Sequence, residues 1–195
     1  MANPARRVFV AAPAESSAVH PPDVRLLDHH DLSVAERIHA VQMAAYAQEA
    51  ALLGAVSFPP LQRQVIDVQR TEGQFLGAFV GDQLAGSLSV EPGNVEHELT
   101  ISSLTVDPEF QRRGLGRALL AAVIREFVFH DLTVSTGARN LPALALYAQF
   151  GFVEFNRRLV GEEQLEVVEL RLNKSDLSSE ASGGCLQDRT KALPS

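Results

Sequence analysis

The 195-residue sequence is poor in the residues that support several common kinds of chemistry. It has one cysteine, Cys185, so no disulfide can form within one chain and no cysteine acyl-enzyme is expected. Its six histidines show no metal-ligand spacing, so no metal site is expected. No apolar run approaches the roughly 20 residues of a membrane-spanning helix, so no membrane partner is expected.

Positive charge is also scarce. The 17 Lys and Arg residues stand against 24 Asp and Glu residues, which gives a formal net charge of −7. Nucleic-acid-binding domains usually present a basic face, so this balance argues against a nucleic-acid partner. Residues 6–13 faintly resemble a signal peptide, but their apolar part is short and Pro13 interrupts it, which favours a cytoplasmic protein.

The apolar content predicts a single globular domain. Apolar residues make up 46% of the chain, and its length suits one domain with its own core. Residues 1–20 are rich in Ala, Pro and Ser, and residues 174–195 are polar and rich in Ser, so both segments are predicted to be disordered. The folded domain is therefore predicted to span residues 21–173.

The most informative stretch is residues 111–116, Gln-Arg-Arg-Gly-Leu-Gly. It follows a strand-like run at residues 104–106 and opens into an apolar, helix-forming run at residues 118–128. A glycine-rich turn before a helix exposes successive backbone N–H groups, and the helix dipole adds partial positive charge. Arg112 and Arg113 add full positive charge. The stretch predicts a pyrophosphate-binding loop, with an ordinary strand-to-helix turn as the alternative.

Two common phosphate-binding motifs do not fit this loop. A P-loop ends in Gly-Lys-Ser/Thr, whereas Gly116 is followed by Arg117. The dinucleotide-binding fingerprint requires a third glycine, and Leu119 occupies that place. It also requires an acidic residue about 20 positions later, and residues 135–139 contain none.

Hydrophobic periodicity predicts a mixture of strands and helices. A capping box at residues 33–36 predicts the start of a first helix that Gly54 ends, and Gly81-Asp82 predicts a two-residue hairpin turn. The predicted order is a strand at 24–27, the first helix, a second helix from 58 to 73, strands at 75–80, 83–90 and 96–106, a helix after the loop, a strand at 132–136, a helix ending at 150, and strands at 152–160 and 165–172.

The strand that precedes the loop breaks its own alternation. Leu99 and Ile101 are apolar at odd positions. Leu104 and Val106 are apolar at even positions, so a strict period of two cannot place both pairs on one face. One extra residue near Ser102-Ser103, a β-bulge, would restore the register and free backbone groups for a ligand's amides. A strand buried on both faces is the alternative.

A second motif lies in residues 140–152, Asn-Leu-Pro-Ala-Leu-Ala-Leu-Tyr-Ala-Gln-Phe-Gly-Phe. It resembles the N-x-x-A-x-x-x-Y-x-x-x-G-F signature of the GCN5-related N-acetyltransferases (GNAT). The loop at residues 111–116 resembles the same family's Q/R-x-x-G-x-G/A loop, and the order of elements matches over about residues 23–173. The resemblance implies an α+β GNAT fold, with a central mixed, mostly antiparallel sheet of about seven strands flanked by about four helices.

The resemblance also implies acetyl-coenzyme A as the co-substrate. In the family the loop binds the pyrophosphate, and the pantetheine arm lies alongside a bulge in the fourth strand. The cofactor-binding residues implied in this sequence are Leu104, Thr105, Val106, Gln111, Arg112, Arg113, Gly114, Leu115, Gly116, Arg117, Asn140 and Ala143.

Direct transfer of an acetyl group to a primary amine is the implied reaction. The amine must lose a proton, because a lysine-like ammonium has a pKa of about 10.4. In the family, a tyrosine at the position of Tyr147 protonates or hydrogen-bonds the departing sulfur, so Tyr147 is predicted to be catalytic; simple packing of its ring is the alternative. Asn140 is predicted to bind the pantetheine arm, to cap the helix, or to do both.

Glu98 is the predicted general base. It shares one face of the bulged strand with Glu96, and it could draw the proton from the amine directly or through water. Glu96 and Glu91 are rivals, and a solvated surface charge is the alternative for each. The acceptor pocket is expected near Tyr46, Phe58 and Glu162.

Other functions remain open at this stage. A catalytically silent acyl-coenzyme A binding module would keep the loop but need neither Tyr147 nor a base. Within the enzyme class, acetylation of a protein N-terminus or a lysine is the alternative to acetylation of a small amine. The sequence identifies neither the acceptor nor the oligomeric state, and a homodimer is left open.

Overall fold

The computed structural model describes residues 22–161 and 164–176. Residues 1–20, most of the predicted C-terminal tail and Glu162 lie outside the described residues. The elements are β1 Asp23–Leu27, α1 Leu32–Leu53, a 3₁₀ helix Pro59–Gln62, α2 Val65–Gln69, β2 Gln74–Val80, β3 Gln83–Pro92, β4 Glu98–Val106, a 3₁₀ helix Pro108–Phe110, α3 Leu115–Glu126, β5 Asp131–Gly137, α4 Leu141–Gln149, β6 Val153–Val160 and β7 Leu165–Asn173.

The strands of the described residues form one seven-stranded sheet in the order β1-β2-β3-β4-β5-β7-β6. All neighbouring strands in it are antiparallel except β4 and β5, which are parallel. The predicted fold class is therefore confirmed. The hairpin turn between β2 and β3 is confirmed too, and Gly81 takes a left-handed φ of +60° there, which glycine adopts without strain.

Apolar side chains bury the two faces of the sheet under different helices. On one face, Leu119 and Val123 of α3 belong to a large cluster with sheet residues such as Leu88. On the other face, Ile38 of α1 packs in a cluster with Phe75. Burial of a side chain of this size contributes roughly 1.5–3 kcal/mol, so both layers fix the sheet against its helices.

Two helix predictions need correction. Helix α1 begins at Leu32, because the Asp31 side chain accepts a hydrogen bond from the Val34 N–H and caps the helix. The predicted capping box at residues 33–36 is therefore wrong. The predicted second helix is split into the first 3₁₀ helix and α2, because Arg63 and Gln64 between them are extended.

The β-bulge in β4 is confirmed. Ser89 of β3 pairs with Ser103, whereas the next residue, Val90, pairs with Ile101. Ser102 is the extra residue of β4, and it changes the face on which the following side chains lie.

Strands β4 and β5 part just beyond Ile101. Their parallel pairing runs from Glu98 with Asp131 to Ile101 with Val134. Both strands then continue, β4 to Val106 and β5 to Gly137, without pairing with each other. The sheet therefore opens into a cleft between the C-terminal ends of two neighbouring strands.

The chain stays in contact with the domain beyond residue 173, where the folded domain was predicted to end. The Lys174 N–H donates to the His130 carbonyl oxygen over 2.8 Å. Its Nζ donates to the Phe127 carbonyl oxygen, also over 2.8 Å, at the C-terminal end of α3. A cation is favourable at that end of a helix, so Lys174 anchors the chain after β7.

Candidate active site

A cavity of about 480 Å³ lies beside the loop at residues 111–116. It is bounded by α1, the second half of β4, the N-terminus of α3 and α4. All the predicted cofactor-binding residues except Arg113 line this cavity. The guanidinium of Arg113 instead lies 5.1 Å from the ring centre of Phe110. We call this space the cofactor cavity.

The loop that borders this cavity has the backbone of an anion site. Arg112 and Gly114 take left-handed φ angles of +62° and +80°. Gly114 is the N-cap of α3 and offers no side-chain hydrogen bond, so the first N–H groups of this 12-residue helix have no side-chain cap. Gln111 donates from Nε2 to the Val106 carbonyl oxygen over 3.3 Å and to Gln48, which ties the loop to β4 and α1.

A second cavity, of about 350 Å³, lies on the other side of α4's N-terminus. It is bounded by α1, the first 3₁₀ helix, the cleft between β4 and β5, and the β6–β7 pair. The predicted acceptor-pocket residues Tyr46 and Phe58 line it, with their ring centres 6.1 Å apart and edge to face. We call this space the acceptor cavity.

The two cavities meet at a small set of residues. Five of the described residues line both: Glu49, Leu104, Asn140, Ala143 and Tyr147. The structure therefore places both predicted residues, Tyr147 and Asn140, at this junction. Groups bound in the two cavities would meet there.

Tyr147 is buried, with 4% of its surface exposed, and its ring centre lies 5.3 Å from that of Phe152. Burial raises the pKa of its hydroxyl well above the ordinary value, and electrostatic interactions with Glu49 and Tyr46 raise it further. The hydroxyl therefore keeps its proton at neutral pH. A protonated phenol beside a departing thiolate can donate a hydrogen bond or a proton to the sulfur.

Asn140 uses both ends of its side-chain amide. Its Oδ1 accepts a hydrogen bond from the Ala143 N–H over 3.2 Å, which confirms the predicted helix cap. Its Nδ2 donates to Oε1 of Glu49 over 2.9 Å. The residue that caps α4 thus also holds a carboxylate of α1.

Glu98 does not lie at this junction. It lines neither cavity, and its Oε2 accepts a hydrogen bond from the Asn94 N–H over 3.0 Å. The predicted rivals Glu91 and Glu96 line neither cavity either. The structure therefore places none of the three beside Tyr147. Glu98 is the first residue of β4 and precedes the bulge, whereas Leu104, which lines the junction, follows it.

Among the residues that the structure describes, Glu49 is the acidic one at the junction, and it is not one of the residues predicted from the sequence. It is half-buried. Burial raises the pKa of its carboxyl, and the hydrogen bond from Asn140 lowers it by a smaller amount. One signal was available: Glu49 stands three residues after Tyr46, so helical spacing places both on the same face of α1.

Among the described residues, no group of three or more His, Cys, Asp and Glu side chains could hold a metal ion. In the same part of the chain, no helix is both long enough and apolar enough to cross a membrane.

The acetyltransferase (GNAT) family model matches residues 36–152, which hold both motifs and the junction. The chain belongs to the GNAT family. The resemblance seen in the two sequence motifs is therefore confirmed.

Two curated relatives match this GNAT chain over stretches of different length. The UPF0157 protein YqkA of Bacillus subtilis is 38% identical over 130 residues, which cover 66% of this chain and 37% of YqkA. The ribosomal protein bS18-alanine N-acetyltransferase of Salmonella typhimurium is 45% identical over 60 residues, or 29% of this chain and 40% of that protein. The chain thus spans well under half the length of these curated relatives.

A solved structure shares the fold of this GNAT chain. YncA of Salmonella typhimurium, solved with its cofactor acetyl-CoA, has a TM-score of 0.60 and 17% sequence identity. The match covers 80% of this chain and 95% of YncA. At this identity the likeness concerns the fold alone.

Proposed function

We propose that this protein is an acetyl-CoA-dependent N-acetyltransferase that transfers the acetyl group directly to a primary amine. The observation that carries the proposal is the junction of the two cavities, where Tyr147 meets both. Family membership and the acetyl-CoA bound by YncA support the choice of co-substrate. A cytoplasmic location and a homodimer stay predictions.

In this proposal the cofactor cavity holds coenzyme A. The pyrophosphate meets the N-terminus of α3, where Gly114 and Gly116 leave the backbone open and Arg112 and Arg117 supply positive charge. The pantetheine arm lies along Leu104–Val106 of β4, which line this cavity. The thioester then reaches the junction, where the bulge in β4 offers backbone N–H groups to its carbonyl oxygen.

The chemistry needs no covalent enzyme intermediate. The neutral amine attacks the thioester carbonyl carbon, the new C–N bond forms, and the C–S bond breaks. Tyr147 donates a proton to the departing sulfur. Its hydroxyl is protonated when the thiolate leaves, which is the state that this role requires.

The acceptor cavity favours a small amine. Its volume of about 350 Å³ lies at the lower end of the usual range for small-molecule sites, roughly 300–1,000 Å³. Tyr46 and Phe58 give it an aromatic wall. A second candidate, the α-amine of a protein N-terminus, is favoured by the similarity to the bS18-alanine N-acetyltransferase.

An acceptor screen tests the proposal. Acetyl-CoA is incubated with the protein and with primary amines or short peptides, and release of free thiol is measured. We expect thiol release that depends on one class of amine, with the acetylated amine detected by mass spectrometry. If acetyl-CoA binds but no amine or peptide releases thiol, the silent binding module is the better description.

A further inference from the structure

Among the described residues, two acidic side chains line the acceptor cavity, Glu49 and Glu166. Glu166 also lines the acceptor cavity, but its Oε1 accepts a hydrogen bond from Arg157 over 3.1 Å, and it does not line the cofactor cavity. Among the described residues, Glu49 is the acidic residue that lines both cavities. An amine that reaches a thioester at the junction must pass beside this carboxylate.

We propose that Glu49, carried by α1 and held by Asn140, takes the proton from the acceptor amine. This inference rests on the proposed acetyltransferase function and deepens it. It replaces the prediction that Glu98 serves as the base.

The hydrogen bond from Asn140 fixes the Glu49 carboxylate and leaves its second oxygen able to accept a proton. Asn140 is itself fixed, because its Oδ1 is bound at the N-terminus of α4. Its Nδ2 engages Oε1 of Glu49, and a carboxylate retains further acceptor capacity at Oε2. Asn140 is therefore a positioning residue, and Glu49 is the group that would touch the amine.

Burial makes the carboxylate a stronger base. Desolvation raises the pKa of Glu49, and a base whose pKa lies closer to the operating pH takes a proton more readily. The titratable and charged groups that line the two cavities with it are Tyr46 of α1, Tyr147 of α4, Arg112 and Arg117 near the loop, Arg158 of β6 and Glu166 of β7.

The proton balance gives Glu49 and Tyr147 separate roles. The ammonium loses two protons before the amide is complete. The first breaks its N–H bond and forms an O–H bond on Glu49, which returns it to solvent. The second leaves the nitrogen after attack on the carbonyl carbon and, by way of solvent, re-forms the O–H bond of Tyr147, which replaces the proton that Tyr147 gives to the coenzyme A sulfur.

The test compares Glu49→Gln with Glu36→Gln, which makes the same charge change at an exposed site on the same helix. Glutamine at position 49 can still accept from Asn140 but cannot take a proton. The probes are phenethylamine, mostly protonated at neutral pH, and its 2,2-difluoro analogue, whose fluorines lower the amine pKa. With phenethylamine, Glu49→Gln should lose about 10²–10⁴-fold in kcat, as expected for loss of general base catalysis.

The fluorinated amine separates catalysis from binding. Because it is already largely neutral, it needs the base less, so the loss caused by Glu49→Gln should shrink by at least about tenfold. Glu36→Gln should match the wild type with both amines. An equal loss with both amines would make Glu49 a binding or structural residue, and full activity of Glu49→Gln would also overturn the inference.

The wild-type arm separates the two proposals. If the wild type acetylates phenethylamine and Glu49→Gln does so equally well, only the role of Glu49 is wrong. If the wild type releases no thiol with either amine or with any other amine or peptide of the acceptor screen, the proposed function fails and the inference falls with it.

Discussion

Asn140 and Glu49 are 91 residues apart in the sequence, and the Asn140 Nδ2 donates to Glu49 Oε1 over 2.9 Å. This hydrogen bond links the N-terminus of α4 to α1 at the place where the two cavities meet. It favours the charged form of Glu49, whereas burial opposes that form. The balance between the two sets how readily Glu49 binds a proton.

The variant Asn140→Asp tests this balance. An aspartate can still cap α4, but it removes the donor and places a second carboxylate beside Glu49. A like charge raises the pKa of Glu49 further, so the acidic limb of the kcat/KM profile should move to higher pH. The check is the pH profile of acetylation; Asn156→Asp, at an exposed asparagine that donates to Glu169, is the matched control and should leave the limb in place.

Glu49→Gln should raise thermal stability at pH 8. Burial raises the folded-state pKa of Glu49 above its unfolded value of about 4.3, so the folded protein binds this proton more tightly. Stability from this group is fully present below the unfolded pKa and is lost as pH rises through the folded pKa. Glutamine does not ionise, so the difference in Tm between variant and wild type should be more positive at pH 8 than at pH 4. A pH-independent difference would contradict the raised pKa.

Tyr147→Phe should lower kcat while leaving the fold intact. The phenylalanine ring fills the same buried site against Phe152, so Tm and coenzyme A affinity should change little. Loss of the hydroxyl removes the proton donor, and general acid catalysis is worth about 10²–10⁴-fold. Steady-state kinetics with an accepted amine measure the effect. Unchanged kcat would leave Tyr147 as a packing residue.

Gly116→Val should abolish most acetyl-CoA binding without unfolding the protein. A Cβ at position 116 would meet Leu146 at 3.4 Å and Val106 at 3.7 Å, which are ordinary contacts. The larger side chain would occupy space expected for the phosphates. Calorimetry measures affinity, and thermal unfolding serves as the folding control. Gly114→Ala should instead lower the free energy of unfolding by about 1–2 kcal/mol, because residue 114 has a φ of +80°, which strains a residue that carries a Cβ. If Gly116→Val binds acetyl-CoA as tightly as the wild type does, the loop is not part of the cofactor site.

Cys185→Ala should leave turnover unchanged. Cys185 is the sole thiol of the chain and lies outside the described residues. Direct transfer needs no nucleophile on the enzyme, so no acetyl group should accumulate on the protein. Mass spectrometry during turnover is the measurement. A protein mass raised by one acetyl group, or a large loss of activity in the variant, would indicate a covalent intermediate.

The features that the sequence predicted correctly depend on local patterns. The bulge follows from the change in alternation between Ile101 and Leu104, and the helix cap follows from the residue type at Asn140. The family signature spans only residues 140–152. Each of these can be read within about a dozen neighbouring positions, because strand period and helix capping are local effects.

The assembly of the junction could not be predicted in the same way. Alternation along β4 says which face Glu98 occupies, but not how far it lies from Tyr147 in space. The partner of Asn140 is set by how α1 packs across the sheet, which is a tertiary contact. Arg113 illustrates a further limit, since the left-handed turn at Arg112 sends it away from the cavity and towards Phe110.

The parting of β4 and β5 has a consequence for the protein's lifetime. Beyond Ile101 and Val134, the two strands do not pair with each other, so a ligand seated between them would act as an interior support for the sheet. A ligand that binds only the folded state adds about 2.7 kcal/mol when its concentration is 100 times its Kd. If acetyl-CoA is that ligand, raising its concentration well above its Kd should raise the Tm of the protein and slow its cleavage by a protease.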